Sequence, residues 1–302
     1  MKIHMDPFEQ VKLDSLMAIS SGAPEVVIGL IDGPIDFTHS AFQDANITTV
    51  KHSQYAACKS AGSIACMHGT FIAGMLCAKR GLSAPAICPD CRLLLYPIFS
   101  EEKEDLDTNR NASLLVPSTT PKKLSNAIIE TVDAGAKIIN ISAGLSTSSL
   151  VAYRELEEAY DYAMRNGVVV VAAAGNQGNI GSYLSVLSHK WVIPVAACDE
   201  HGRLDPMSNF GPSIGNRGLM APGVNVKSTY PGEQYTQMSG TSFATPFVTG
   251  CIALLWSIFP DVSPSAIIQS IIRRASIPHR SILPLLLNGE KALNILKSFY
   301  RM

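Results

Sequence analysis

Ser242 stands in Met238-Ser239-Gly240-Thr241-Ser242-Phe243-Ala244-Thr245-Pro246, among small residues and just ahead of the apolar run 247–256. That layout puts its hydroxyl in the first turn of a buried helix, where unpaired N–H groups and the helix dipole favour developing negative charge. A serine is a weak nucleophile alone; it needs a base, and the base needs a group to orient it. Upstream residues supply both. The strand-length apolar run 25–31 ends in Asp32-Gly33-Pro34, a carboxylate closing a buried strand and able to hold an imidazole in one tautomer. His68-Gly69-Thr70 opens an apolar, helix-like run, 71–77. A fourth candidate is Asn176, in Gly175-Asn176-Gln177-Gly178 after seven small or branched apolar residues, 168–174. Its amide suits an oxyanion donor, with Gly175 leaving room for a substrate; the plainer alternative is a turn cap. Asp36 competes with Asp32 but follows the turn and reads as a surface or turn carboxylate. His39, His52, His189 and His201 lack the Gly-Thr context of His68. Asn140 and Asn209 read as structural.

The elements that must carry these residues follow from periodicity. Strand-like runs at 25–32, 92–98, 136–142, 168–174 and 191–197 alternate with helical patterns at 68–78, 122–134, 150–166, 242–258 and 263–274. Such alternation predicts an α/β fold, a doubly wound, mostly parallel sheet with helices on both faces in three αβα layers. Ligands of these sheets bind beyond the carboxyl ends of strands, where Asp32 and Asn176 fall. Ser142-Ala143-Gly144, after another buried strand, leaves the backbone open for an extended peptide to add as a strand.

Length and composition bound the rest. The 302 residues are 47% hydrophobic with a formal net charge of −1. One domain over 1–302 is expected, with residues 1–20 as an N-terminal extension and 101–121 as a polar insert read as a surface loop, or else a flap beside the cleft. Near-zero charge gives no electrostatic reason for nucleic acid or an anionic membrane surface. No apolar run reaches the length of about 18 residues that a spanning helix needs, so no membrane partner is expected. The N-terminus lacks the apolar core of a signal peptide and 31 residues precede Asp32, which points to a cytoplasmic protein folding without a pro-domain. The oligomeric state is not legible.

Seven cysteines are present. Cys77, Cys198 and Cys251 lie in apolar runs and read as buried thiols. Cys58, Cys66, Cys88 and Cys91 read first as free thiols, with a labile disulfide or a zinc site as alternatives; their spacing matches no standard zinc framework.

Six segments together resemble subtilisin-like serine proteases, the peptidase S8 family, over nearly the whole chain. They are Leu30-Ile31-Asp32-Gly33, His68-Gly69-Thr70, Asn140-Ile141-Ser142-Ala143-Gly144, Ala172-Ala173-Ala174-Gly175-Asn176, Ala221-Pro222-Gly223 and Ser239 to Pro246. The order Asp, His, Ser is the subtilisin version of the triad. Asp32-Gly33-Pro34-Ile35-Asp36, the stretch Cys91 to Ser100 and Arg280-Ser281-Ile282-Leu283-Pro284 are similar to cyanobactin-type maturation proteases, which trim or cyclise ribosomally made precursor peptides. The resemblance implies a serine endopeptidase with Asp32, His68 and Ser242 as triad and Asn176 as oxyanion donor. It puts Ser142, Ala143 and Gly144 along the pocket for the residue before the cut, with Ala174 and Gly175 beside the substrate. The expected partner is a leader-bearing precursor peptide. A general intracellular protein-degrading subtilisin and a non-catalytic peptide-binding relative remain as alternatives. No cofactor is required; relatives often bind structural calcium, yet no Asp/Glu-rich loop has the spacing of an oxygen cage. Phe71 stands where many relatives carry a second histidine, and Ser185-Val186-Leu187-Ser188 replaces a usual Tyr-Pro-Ala segment. Cyclising relatives carry a helical pair between the triad aspartate and histidine; here 36 positions separate the two, so hydrolysis is expected.

Overall fold

In a computed structural model, the structure describes residues 5–50, 56–99, 101, 118–142, 144–145, 150–178, 187, 189–272 and 281–300. The strands are β1 (Val27–Asp32), β2 (Ile47–Thr49), β3 (Arg92–Pro97), β4 (Ser118–Thr119), β5 (Ile138–Ile141), β6 (Gly144–Leu145), β7 (Val169–Ala173), β8 (Val192–Cys198), β9 (Leu219–Pro222), β10 (Val226–Tyr230), β11 (Gln234–Met238) and β12 (Leu285–Leu286). The helices are α1 (Pro7–Gln10), α2 (Asp14–Ile19), α3 (Ile64–Cys77), α4 (Pro121–Asp133), α5 (Leu150–Arg165), α6 (Pro212–Arg217), α7 (Thr241–Ile258), α8 (Pro264–Ile272) and α9 (Gly289–Phe299).

Eight strands form one sheet in the order β12-β9-β8-β7-β5-β1-β3-β2, every ladder parallel. A sheet covered on both faces needs strands that are apolar on both faces. β1 meets this by alternation: Ile28 and Leu30 enter the core shared with α3, α7, α8 and α9, while Val27 and Ile31 enter the core shared with α4 and α5. β7 divides likewise, with Val169 and Val171 on the first side and Val170 and Ala172 on the second. From β1 the chain builds β2 and β3 on one side, then crosses to β5 on the other. The strand order therefore reverses at β1, whose carboxyl end is Asp32, and this is where such sheets hold ligands.

Residues 7–19 of the N-terminal extension pack onto the core: Val11, Leu13 and Leu16 are fully buried, and the Gly289 N–H at the start of α9 donates to the Val11 carbonyl. The 18 residues of α7 do meet the length and hydropathy of a membrane span, yet the helix lies almost wholly inside the core, packed on β5, β7, β8 and β9. Its apolarity is accounted for by that burial. The antiparallel hairpin β10–β11 stands outside the main sheet and delivers the chain to Gly240 and α7.

Candidate active site

Asp32 ends β1 fully buried. Its Oδ1 accepts the Gly33 N–H at 2.7 Å and faces His68 Nδ1 at 2.7 Å. His68 lies in the second turn of α3, because that helix starts four residues before the expected position, with Ser63 as N-cap accepting the Cys66 N–H. Small residues let α3 meet the turn after Asp32. A Cβ on Gly33 would overlap the Ala65 carbonyl oxygen, and a Cβ on Gly69 would overlap the carbonyls of Gly33 and Pro34. The Asp-Gly and His-Gly pairs of the sequence are thus two halves of one close backbone contact. With Nδ1–H donated to Asp32, the neutral imidazole presents Nε2 as an acceptor. Nε2 and Asp32 Oδ2 are both buried without a hydrogen-bond partner among the described residues. Buried polar atoms are usually paired, so unpaired ones call for a functional reason.

Ser242 is the second residue of α7, after the N-cap Gly240 at φ 145° and Thr241. At that position its N–H has no intrahelical acceptor. The rings of His68 and Phe243 stand 5.5 Å apart, which brings α3 and the start of α7 together. The Ser242 hydroxyl donates to the Ser142 carbonyl at 3.3 Å, and the Ser142 hydroxyl donates back to the Ser242 carbonyl at 3.2 Å. Pro246 explains why that carbonyl is open: four residues on, it has no N–H to give. Asn140 donates to Ser142 Oγ at 3.1 Å, and Thr249 Oγ1 donates to Asn140 Oδ1 at 2.8 Å. A directed chain of hydrogen bonds therefore runs from inside α7, through the end of β5, to Ser242.

Asn176 follows β7. Its Oδ1 accepts the Thr241 N–H at 2.8 Å and the Thr241 hydroxyl at 3.0 Å. A backbone N–H can only donate, so the atom facing it is the oxygen; this fixes the amide orientation and leaves Nδ2 as a donor beside the start of α7 with no acceptor among the described residues. Asn209 holds the loop, donating to the Ala174 carbonyl at 3.0 Å and to Gln177 Oε1 at 2.6 Å while accepting the Gln177 N–H. Its structural reading stands on those bonds.

The remaining candidates scatter. Ser142 is buried in the network above. Gly144 pairs in β6 with β4, Ser118 opposite Gly144, so one edge of this segment is engaged by the chain's own backbone. Ala143 lies outside the described residues, as do 102–117 of the polar insert, Arg280, and Ser185, Val186 and Ser188. Ala174 is fully buried and presents no surface to a ligand; Gly175 is partly exposed, and its N–H donates to Thr241 Oγ1 at 3.1 Å. Phe71 is a buried support, with its ring 4.7 Å from that of Phe243. Asp36 is a turn carboxylate, accepting from Thr38 and from the Gly232 N–H. His39 bonds the Gln234 carbonyl, and His189 bonds Asp161. Sequence reasoning missed Thr241 and Thr249 as organisers; their one signal was a hydroxyl at helix N1 and another eight residues along a buried helix.

Five cysteines are the free thiols expected, and only Cys58 and Cys66 take the disulfide alternative. Cys58 and Cys66 form a disulfide, whereas Cys77, Cys88, Cys91, Cys198 and Cys251 are buried thiols. Burial pushes Cys198 and Cys251 up to about 12, and a hydrogen bond with the Cys88 thiol lowers Cys91. Among the described residues, one group of three metal-capable side chains has its ligand atoms within 4.8 Å of one another: Cys58, Cys66 and Glu101. Two sulfurs do not suit calcium, which takes oxygen ligands.

Residues 23–296 match the S8 peptidase family, the subtilase family. Among curated proteins, the thermophilic serine proteinase of Bacillus sp. (strain AK1) is 33% identical over 241 residues, 79% of this chain and 54% of that protein. The chain thus spans about half the length of that relative. Among solved structures, the patellamide maturation protease PatA is 31% identical with a TM-score of 0.72, covering 92% of this chain and 98% of its own. The prenylagaramide maturation protease PagA is 28% identical with a TM-score of 0.76, covering 94% and 98%. The chain belongs to the subtilase family of subtilisin-like serine peptidases.

Proposed function

We propose that this chain is an endopeptidase that uses Asp32, His68 and Ser242 as its triad and cleaves the leader from a ribosomally made precursor peptide. The observation that carries the chemistry is the buried 2.7 Å Asp32–His68 bond with His68 Nε2 left unpaired beside the start of α7. In this reading Ser242 Oγ turns from the Ser142 carbonyl to Nε2 and gives up its proton as it attacks the scissile carbonyl carbon. Asp32 holds the resulting imidazolium at Nδ1. The carbonyl oxygen becomes an oxyanion held by Asn176 Nδ2 and the Ser242 N–H. The imidazolium then protonates the leaving amine; a water, deprotonated by the same nitrogen, releases the acyl group and restores Ser242. No cofactor enters these steps.

The substrate class rests on similarity to two solved maturation proteases that each align over more than nine-tenths of this chain. The working compartment is proposed to be the cytoplasm, where such precursors are made. The test is digestion of a leader-bearing precursor alongside an unrelated unfolded protein. One defined cut in the precursor, absent in Ser242→Ala, supports the reading. Many cuts in both substrates would favour broad protein degradation. Binding without any cut, and no fluorophosphonate labelling of Ser242, would favour a non-catalytic peptide-binding relative.

A further inference from the structure

We propose that Cys58, Cys66 and Glu101 form a redox-gated site for a thiophilic divalent cation of the zinc class, which becomes available when the Cys58–Cys66 bond is reduced. The positions are held by more than the disulfide. Cys58 lies beside a bridge to the segment after Asp32: Ile35 pairs with Ala57, and the Cys58 N–H donates to the Ile35 carbonyl at 3.2 Å. Cys66 is fixed in the first turn of α3 behind its Ser63 cap. The two Cα atoms are 5.4 Å apart, a separation the backbone keeps after the bond between the sulfurs is cut.

Glu101 comes from a distant part of the chain and is oriented by the loop itself. One carboxylate oxygen accepts the Lys59 N–H at 2.6 Å and the other the Ser60 N–H at 3.0 Å. Each oxygen keeps a lone pair for a cation. The three ligand atoms already lie within 4.8 Å of one another. A tetrahedral zinc with Zn–S near 2.3 Å and Zn–O near 2.0 Å needs ligand atoms roughly 3.5 to 3.8 Å apart, within reach of rotamer changes alone. Cys58 is partly exposed while Cys66 is buried, so the site has an entry side and a place for water as the fourth ligand. Two thiolates with one carboxylate select zinc or cobalt over calcium and magnesium.

A dithiol reductant gives two electrons and two protons to the S–S bond and leaves as its own cyclic disulfide. The two thiols then lose their protons to water as the cation binds, two protons per metal. In a reducing compartment, where disulfides do not persist, the metal would close the same loop that the disulfide closes under oxidation.

The experiment reduces the full chain with a dithiol, removes the reductant under argon, and titrates with Co²⁺ followed by Zn²⁺. The expected result is one tetrahedral Co²⁺ per chain with a thiolate-to-cobalt charge-transfer band, bleached by Zn²⁺ and missing from the oxidised protein. Cys58→Ser should lose the band, and Glu101→Gln should weaken binding by on the order of tenfold. Near-UV circular dichroism of both variants checks that they fold. A reduced wild type without the band overturns the proposal. So does a band that survives Cys58→Ser, which would assign the metal to Cys77, Cys88 or Cys91. Wild-type affinity in Glu101→Gln would remove the carboxylate and with it the three-ligand site.

Discussion

Among the described residues, Ser242, His68 and Asn176 each keep one atom unengaged: the N–H of Ser242 by helix position, Nε2 of His68 by the Asp32 bond, and Nδ2 of Asn176 by the double acceptance from Thr241 at Oδ1. Asn176 gives the sharpest residue-scale prediction. Asn176→Ala removes one of two proposed donors to an oxygen that becomes charged only during the reaction. It should lower kcat by about two to three orders of magnitude, the range found for the equivalent donor in subtilisin, with little change in KM. A loss confined to KM in steady-state kinetics would make Asn176 a binding residue. The same substitution also frees the Thr241 N–H, so the Asn176→Asp variant, which keeps an oxygen acceptor for Thr241 and removes the Nδ2 donor, separates the two effects: it should lose at least as much kcat. Much of this was legible from residue types. Asp32 at a strand end, His68 beside glycine and Ser242 opening a helix could all be read from local pattern. The parking of Ser242 on Ser142 could not, because it depends on Pro246 freeing a carbonyl that then meets a strand 100 residues away.

At the scale of elements, α3 is pressed onto the turn after β1 through glycines, and this contact sets the distance between aspartate and histidine. Gly69→Ala puts a methyl into the Gly33 and Pro34 carbonyls, backbone atoms that cannot swing aside. Overpacking of that kind costs about 1–3 kcal/mol. Denaturant titration should show that loss, and kcat should fall with it as α3 moves off Asp32; unchanged stability and kcat would mean the contact is not tight. Thr249→Val is a quieter probe of α7. It keeps the shape but strands Asn140 Oδ1, which accepts the Thr249 hydroxyl inside the core, at a cost of about 1–3 kcal/mol. A variant as stable as wild type would show that Asn140 finds another donor. The long strands β1, β3, β5, β7 and β8 and the helices α4, α5, α7 and α8 fall close to where apolar periodicity puts them. The short, partly exposed β2, β4, β6 and β12 have too few residues to show a period, and their pairing is decided by partners far along the chain. α3 begins early because Ser63 caps it, a signal outweighed in the sequence by the glycine after His68. The Cys58–Cys66 pairing was open for a similar reason: spacing alone does not say which thiols a bridge to Ile35 will bring together.

Across the whole molecule, the question is whether water or an amine resolves the acyl-enzyme. Ring closure requires that the acyl group be shielded from water while the substrate's own amine enters. In cyclising relatives the resemblance points to a helical pair between the triad aspartate and histidine as the cover. Between Asp32 and the start of α3 the described residues hold one 3-10 turn, Ser40–Phe42, and the short strand β2, but no helical pair. β2 sits at the far edge of the sheet beside β3, and the 3-10 turn is spent on binding the hairpin loop, with Ser40 donating to the Glu233 carboxylate. Neither is placed to roof the site. Water is abundant and an amine is not, so an unroofed acyl-enzyme should hydrolyse. Given a precursor with a cleavage site and a free α-amine, the enzyme should release linear peptide, heavier than the ring by one water. Mass spectrometry of the product distinguishes them directly, and running the reaction in H₂¹⁸O places the label in the new carboxylate only if water is the acceptor. A dominant unlabelled ring would overturn the claim and transfer the covering role to the 101–121 insert.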